Sequence, residues 1–168
     1  MSTKEHKKDA PKRLHIAILS VSTSRTLSDD LSGLWIKKES RKEGHDVVFH
    51  EVVPDDKDTI SGTVTDVIQK LNPHALLITG GSGISKKDVT IEALRPLFDK
   101  ELSAFAPLFA QLSFEEIDSA AIMSRATAGI VEKTAVFCMP GSLKACKLAC
   151  KALIFPELGH ITKHVYFG

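Results

Sequence analysis

The chain has 168 residues, of which 43% are apolar and 26% are charged. These proportions are typical of one soluble globular domain and exclude a disordered, collagen-like or disulfide-dense chain. The 22 basic and 21 acidic side chains leave a net charge of +1, which disfavours a general nucleic-acid-binding protein. No apolar run approaches the roughly 20 residues of a membrane span, and the start MSTKEHKKDAPKR has no signal-peptide core. The three cysteines lack framework spacing, so we expect a cytoplasmic protein. From the charge balance and the apolar runs we expect no nucleic-acid and no membrane partner.

Residues 1–13 form a polar segment that carries five Lys or Arg against two acidic side chains. This composition predicts a flexible basic N-terminal arm, which is either solvated or in contact with an anionic ligand or partner. Residues 14–168 show no internal repeat and no further linker, so we expect them to form a single domain.

Short apolar segments alternate with amphipathic ones along residues 14–168. The apolar segments predict strands buried on both faces, over 14–21, 47–53 and 75–79, with two more strands in 126–140 and a turn near Glu132-Lys133. The amphipathic segments predict helices. The first is capped by Ser28 or Asp29 and ended by Gly44, and the second covers 58–71. A third opens at Asp88 or Thr90, a fourth runs from Gly141-Ser142 to about Ile154, and a terminal helix begins at Pro156. This alternation predicts a three-layer α/β/α fold with a mostly parallel central sheet and a short β-hairpin excursion.

A glycine-rich loop, Gly80-Gly81-Ser82-Gly83, follows the third predicted strand. Ligands of such sheets bind beyond the carboxyl ends of the strands, and glycines there let backbone N–H groups approach an anion such as phosphate. A plain tight turn is the alternative. A dinucleotide fingerprint, a P-loop and a nucleophile elbow each require glycine where the chain has Lys86, Ser85 and Ile84, respectively. These mismatches disfavour three enzyme classes and leave a phosphate site of another design.

Aspartates follow two of the predicted strands. Asp55, Asp56 and Asp58 come after the second strand, and Asp88 follows the glycine-rich loop. Sequential strands are often neighbours, so the two loops can converge. Carboxylates repel phosphate unless a cation lies between them, and Mg²⁺ bound by one or two carboxylates and substrate phosphates meets that need. Helix capping is the alternative role, which is favoured for Asp56 and Asp58 and left open for Asp55 and Asp88.

Two further patterns have both a structural and a chemical interpretation. Ser142 follows the last predicted strand and can cap a helix, contact a ligand, or do both. The spacing of Cys146 and Cys150 with His160 and His164 imitates a zinc site, but cysteines one turn apart on a helix are better explained as buried packing residues.

Several motifs together resemble one protein family. They are SVSTSR at 20–25, Asp30 with Ser32-Gly33, VVPDD at 52–56, TGGSGISKKDVTIEA at 79–93, AAIMSRATAG at 120–129 and MPGS at 139–142. In this order they resemble the molybdopterin adenylyltransferases, the MogA/MoaB-like proteins of molybdenum and tungsten cofactor synthesis. The chain length and the stretch LSFEEIDSAAIMSRA are more similar to the MoaB branch. The resemblance covers about Leu14 to His164 and implies an α/β/α fold.

The resemblance also implies a reaction, in which the terminal phosphate of molybdopterin attacks the α-phosphate of MgATP. Pyrophosphate is released and adenylylated molybdopterin is formed. The alternative is a molybdopterin-binding protein or inactive paralogue without adenylyl transfer. The family further implies a homo-oligomer, a trimer or a hexamer, and the apolar run 102–114 is compatible with either an interface or the core.

The same resemblance assigns site residues. Asp55 and Asp88 are implied as catalytic carboxylates and Mg²⁺ ligands. The residues implied to contact the nucleotide or the pterin are Gly80, Gly81, Ser82, Gly83, Gly141, Ser142, Ser22, Arg25, Asp30 and Lys87. Lys87 stands where the family usually has Arg, so its charge is kept while a bidentate contact is lost. Ser124 and Arg125 belong to a family signature that predicts no particular role for them.

Overall fold

The computed structural model describes residues 7–168, and a six-stranded sheet forms its centre. The strands are β1 (His15–Val21), β2 (Asp46–Val53), β3 (Ala75–Thr79), β4 (Lys100–Glu101), β5 (Thr127–Val131) and β6 (Thr134–Met139). Their order across the sheet is β2-β1-β3-β6-β5-β4. The first four in this order are parallel, whereas β5 runs antiparallel to both of its neighbours. The predicted hairpin is the β5–β6 pair.

Helices cover both faces of the sheet. They are α1 (Leu31–Lys42), α2 (Lys57–Leu71), α3 (Thr90–Leu94), α4 (Phe105–Ile117), α5 (Leu143–Ala149) and α6 (Phe155–Phe167). One core cluster packs α1, α4, α5 and α6 against the sheet, and a second packs α2 and α3 against the opposite face. The predicted three-layer α/β/α fold is therefore confirmed.

The central strands are buried on both faces, as their continuous apolar sequences predict. In β1, Ile16 and Ile18 belong to one cluster, while Ala17 and Leu19 belong to the other. Successive side chains of a strand point to opposite faces, so an apolar run is required wherever both faces are covered. The same alternation in β3 and β6 makes these strands the rigid support of the loops at their carboxyl ends.

Three predicted helix boundaries were wrong. Helix α1 is capped by Asp30, which accepts the N–H of Gly33, and not by Ser28 or Asp29, which lie in a 3₁₀ turn. Helix α2 begins at Lys57, one residue before the predicted 58–71 start. Its cap is Asp56, which confirms the role favoured for this aspartate, whereas Asp58 lies in the first turn. Helix α6 does not restart at Pro156, because a π-helical segment, Cys150–Ile154, connects it without a break to α5.

The cysteines are buried packing residues, as their helical spacing indicates. Cys138, Cys146 and Cys150 are free and fully buried, and burial raises the pKa of Cys138 to about 12. Within residues 7–168, no group of three or more His, Cys, Asp or Glu side chains could hold a metal ion.

Part of the predicted N-terminal arm contacts the domain. Lys7 forms an ion pair with Glu157 on α6, and the guanidinium of Arg13 lies 2.7 Å from the carboxylate of Asp46. Residues 1–6 of the arm lie outside the described residues. Over 7–168, no helix is long and apolar enough to cross a membrane.

Candidate active site at the carboxyl edge of the sheet

A cleft of about 710 Å³ lies beyond the carboxyl ends of the parallel strands. Loops that follow β1, β2, β3 and β6 form most of its wall, and the segment after α4 closes one side. The lining residues include Ser22, Thr23, Ser24, Arg25, Asp55, Gly80, Gly81, Ser82, Gly83, Lys87, Asp88, Ile117, Ala120, Met123, Ser124, Arg125, Pro140 and Gly141.

Hydrogen bonds between the loops bring these distant segments together. The N–H of Ser22 donates to the carbonyl of Val53 at 2.8 Å, so the loops after β1 and β2 stay side by side. The hydroxyl of Thr79 donates to the carbonyl of Pro140 at 3.0 Å, which joins the loops after β3 and β6. The cleft is therefore part of the folded framework of the sheet.

The glycine-rich loop adopts a backbone conformation that side chains rarely tolerate. Gly80 and Gly81 have φ values of +96° and +64°, respectively. A Cβ on Gly81 would lie 2.2 Å from the hydroxyl oxygen of Thr90, and one on Gly80 would lie 2.3 Å from the carbonyl oxygen of Val21. The glycines are thus needed both for the turn and for the close packing of the loop against β1 and α3.

The two predicted catalytic carboxylates lie in this one cleft, and both are close to the glycine-rich loop. Oδ1 of Asp55 lies 3.1 Å from the position of a Cβ on Gly81, and Oδ2 of Asp88 lies 2.7 Å from that of a Cβ on Gly83. Neither aspartate caps a helix: α2 is capped by Asp56, and α3 begins after Val89. The sequence left open whether Asp55 and Asp88 bind a metal ion or cap a helix, and the structure excludes helix capping.

A loop hydroxyl group binds each of these carboxylates. Thr23 donates through its N–H and its hydroxyl to Oδ2 of Asp55, at 3.0 and 2.8 Å. Ser85 donates in the same way to Oδ2 of Asp88, at 2.9 and 2.6 Å. The Ser85 hydroxyl is the main cause that holds the pKa of Asp88 below its ordinary value, while burial opposes it. Asp88 is consequently charged at neutral pH.

Arg125 links the glycine-rich loop to α3. Its Nε donates to the carbonyl oxygens of Ser82 and Gly83 at 3.1 and 3.0 Å, and its Nη1 lies 2.6 Å from a carboxylate oxygen of Glu92. The hydrogen bond with Glu92 is the largest cause that raises the pKa of Arg125. Because Arg125 binds both carbonyl oxygens, it holds the backbone of the glycine-rich loop at the edge of the cleft.

Most of the residues that the family resemblance assigns to ligand contact line the cleft. Besides the glycine-rich loop, they include Ser22, Arg25, Lys87 and Gly141. Three cationic side chains line the cleft, those of Arg25, Lys87 and Arg125. Cations and carboxylates in one cleft suit a multiply charged anion that arrives with a metal cation.

Two assigned residues lie outside the cleft lining. Asp30 is 1% exposed and binds Ser20, His50 and the N–H of Gly33 in the interior. Ser142 accepts the N–H of Ala145 at 3.2 Å and caps α5. It borders a neighbouring cavity of about 90 Å³ beside α4, which shares Ile117, Ser124 and Pro140 with the cleft.

Sequence reasoning missed three features of the cleft. Thr23 and Ser85 belong to the quoted motifs, but nothing in the motifs shows which carboxylate each would bind. Arg125 lies about 40 residues beyond the loop that it holds, so only the fold reveals the contact. The apolar side of the cleft comes from Ile117, Ala120 and Met123. Ala120 and Met123 belong to a quoted motif, but nothing in that motif shows that they line the cleft.

Comparison with known proteins identifies the class to which this fold and cleft belong. Residues 17–160 match the model of the family described as "Probable molybdopterin binding domain". The match covers most of the chain, and the chain belongs to this family.

Individual relatives are similar over almost their whole length. Molybdenum cofactor biosynthesis protein B of Bacillus subtilis is 45% identical over 166 residues, which are 98% of each chain. Molybdopterin adenylyltransferase of Pyrococcus furiosus is 39% identical over 170 residues, again 98% of each. A crystal structure of a molybdenum cofactor biosynthesis protein B superposes with a TM-score of 0.90 at 42% identity, covering 94% of this chain and 98% of that one.

Proposed function

We propose that this protein is a molybdopterin adenylyltransferase of molybdenum or tungsten cofactor biosynthesis. The terminal phosphate oxygen of molybdopterin attacks the α-phosphorus of ATP, the bond from that phosphorus to the bridging oxygen breaks, and pyrophosphate leaves. The observation that carries the proposal is the position of Asp55 and Asp88 in one cleft, next to Gly81 and Gly83 of the glycine-rich loop. The name of the Pyrococcus furiosus relative supports the reaction type.

The donor groups of the cleft suit Mg²⁺. Asp55 and Asp88 offer carboxylate oxygens, which are the ligands that this ion prefers. Among residues 7–168, neither a cysteine nor a histidine lines the cleft. Mg²⁺ commonly binds one or two carboxylates together with substrate phosphates and water. These two residues would hold the ion, which would supply neutralisation of phosphate charge.

The remaining contribution of the chain is to position the two substrates and to stabilise charge. Arg25 and Lys87 provide positive charge on the cleft wall, and the glycine-rich loop brings its backbone close to the ligand. The phosphate of molybdopterin is itself the nucleophile, so no side chain of the protein needs to form a covalent bond. Holding both phosphates in a reactive geometry is then the main source of rate acceleration.

Pyrophosphate release from purified protein with molybdopterin, ATP and Mg²⁺ tests the proposal. We expect turnover in the wild type and loss of most turnover in Asp55→Ala and Asp88→Ala, with the fold intact. Asp66→Ala is the control, because Asp66 is exposed on α2 and pairs with Lys70 away from the cleft. Binding of molybdopterin without pyrophosphate release would select the alternative of a binding protein. Full turnover in either cleft variant would refute the carboxylate assignment.

We also propose that the protein is a homo-oligomer, a trimer or a hexamer, in the cytoplasm. Helix α4 and the turn after it expose Leu108, Phe114 and Ile122, whose exposed fractions are 47%, 58% and 89%. Exposed apolar side chains concentrated in one segment of the chain favour a protein–protein interface. Light scattering at micromolar concentration tests this assembly, and a monomer would contradict it. The three free cysteines support a reducing compartment.

A further inference from the structure

Thr23 and Asp55 form a reciprocal contact across two strand-end loops. The N–H and the hydroxyl of Thr23 donate to Oδ2 of Asp55, and the N–H of Asp55 lies 3.2 Å from the hydroxyl oxygen of Thr23. The two residues are 32 positions apart and follow neighbouring strands, β1 and β2. One side chain therefore fixes both the carboxylate and the backbone that carries it.

The contact uses only one of the two carboxylate oxygens. Within residues 7–168, no hydrogen bond to Oδ1 of Asp55 is found, and this oxygen lies on the side of Gly81. Two donors to the same oxygen restrict rotation of the carboxylate about its last torsion angle, which is otherwise broad. As a result, Oδ1 remains available to the cleft in one orientation.

We propose that Thr23 is a positioning residue for adenylyl transfer, which acts by holding Oδ2 of Asp55 so that Oδ1 faces the substrates. This inference rests on the proposed function, since it assigns Thr23 a role through a carboxylate that the reaction needs. Thr23 itself contacts no reacting atom in this role. Thr23 lines the cleft, but the main effect expected from loss of its hydroxyl is misalignment of the Asp55 carboxylate in the transition state.

The chain contains a matched contact that separates positioning from simple stabilisation. Thr59 donates through its N–H and its hydroxyl to Oδ2 of Asp56, at 2.9 and 2.7 Å. This geometry closely repeats that of Thr23 and Asp55, but Asp56 caps α2 and does not line the cleft. Thr59→Val therefore removes an equivalent hydrogen bond from the adjacent aspartate.

The test compares Thr23→Val, Thr23→Ser and Thr59→Val in the pyrophosphate assay, with kcat and KM for ATP measured separately. Misplacement of a reacting group lowers the rate strongly, so we expect Thr23→Val to lower kcat about 10-fold or more while KM stays within about twofold. Thr23→Ser keeps the hydroxyl and should recover most of kcat. Thr59→Val should keep the wild-type kcat.

A binding measurement without molybdopterin gives a second readout. Mn²⁺ affinity in the presence of ATP, followed by electron paramagnetic resonance, should fall several-fold in Thr23→Val and stay unchanged in Thr59→Val. Wild-type kcat or wild-type Mn²⁺ affinity in Thr23→Val would overturn the inference, as would a loss of kcat in Thr59→Val equal to that in Thr23→Val. A failure of the proposed function is distinguishable, because it would show as no turnover in the wild type or full turnover in Asp55→Ala.

Discussion

Nε2 of His50 lies 2.9 Å from Oδ2 of Asp30, and both side chains are almost completely buried. Ser20 donates to the same carboxylate oxygen, so the cluster joins β1, β2 and the start of α1. Burial opposes the charged form of Asp30, but the hydrogen bonds from His50, Ser20 and Gly33 bring its pKa below the ordinary value. The interior of the domain therefore holds a carboxylate that stays ionised.

Asp30→Asn should lower the free energy of unfolding by about 1–3 kcal/mol at pH 7, because the buried network loses its negative charge and one accepting oxygen becomes a donating amide group. Since the pKa of Asp30 is lower in the folded state, its contribution is complete above the ordinary value of 3.8 and is lost as the pH falls through the folded-state value. In urea unfolding between pH 7 and pH 3, the difference in unfolding free energy between Asp30→Asn and the wild type should shrink as the pH falls below 3.8. A constant difference, or one as small as that of exposed Asp66→Asn, would contradict this.

Arg125→Ala should loosen the glycine-rich loop, because two carbonyl oxygens of the loop lose their donor. We expect turnover to fall about 10-fold or more and amide exchange over 80–88 to increase. Arg125→Lys keeps the charge without the planar fork and should recover little of the activity. Arg95→Ala is the control, as Arg95 lies 4.0 Å from exposed Glu101 and does not line the cleft. Unchanged exchange in Arg125→Ala would refute the linking role.

Ser142→Ala separates the two roles that the sequence allows for this residue. Because its hydroxyl caps α5, its removal should lower the free energy of unfolding by about 1 kcal/mol. Turnover should stay within about twofold, since Ser142 does not line the main cleft. Chemical denaturation and the pyrophosphate assay check both values. A large loss of turnover with wild-type stability would show that the hydroxyl contacts a ligand.

Gly81→Ala and Gly62→Ala should change stability in opposite directions. At Gly81 a Cβ would lie 2.2 Å from the Thr90 hydroxyl at positive φ, so we expect a loss of about 1–3 kcal/mol together with reduced turnover. At Gly62, within α2, nothing lies within 4 Å of the added Cβ. Alanine there should stabilise the helix by about 0.5–1 kcal/mol and leave turnover unchanged. Thermal unfolding of both variants decides the comparison.

The strands and layers could be predicted because burial imposes a continuous apolar sequence on a central strand. Predicted strand 75–79 coincides with β3, and the predicted pair of strands in 126–140 became β5 and β6. Helix starts were harder to predict, since neighbouring polar residues can all act as caps. Among Ser28, Asp29 and Asp30, only the packing of Asp30 against His50 and Ser20 decides which one caps α1.

The residues of the site were predicted in part, and their neighbours were not. The sequence placed Asp55 and Asp88 after two strands that were expected to be neighbours. In the sheet β1 lies between β2 and β3, so that expectation was wrong, but the fold still puts both aspartates in the cleft. Membership in a family motif does not show that Asp30 is buried at the start of α1 while other motif residues line the cleft. The contacts of Thr23 and Arg125 join segments more than 30 residues apart, so they follow from the sheet order and from no local pattern.

The order of the strands also has a consequence for synthesis on the ribosome. By Thr79 the growing chain can pair β1, β2 and β3, but the wall supplied by Gly141 follows β6 and emerges much later. A nascent chain therefore has no complete cleft until most of its length has been translated. Substrates can then stabilise only the finished domain, by mass action, and cannot guide the earlier stages of its folding.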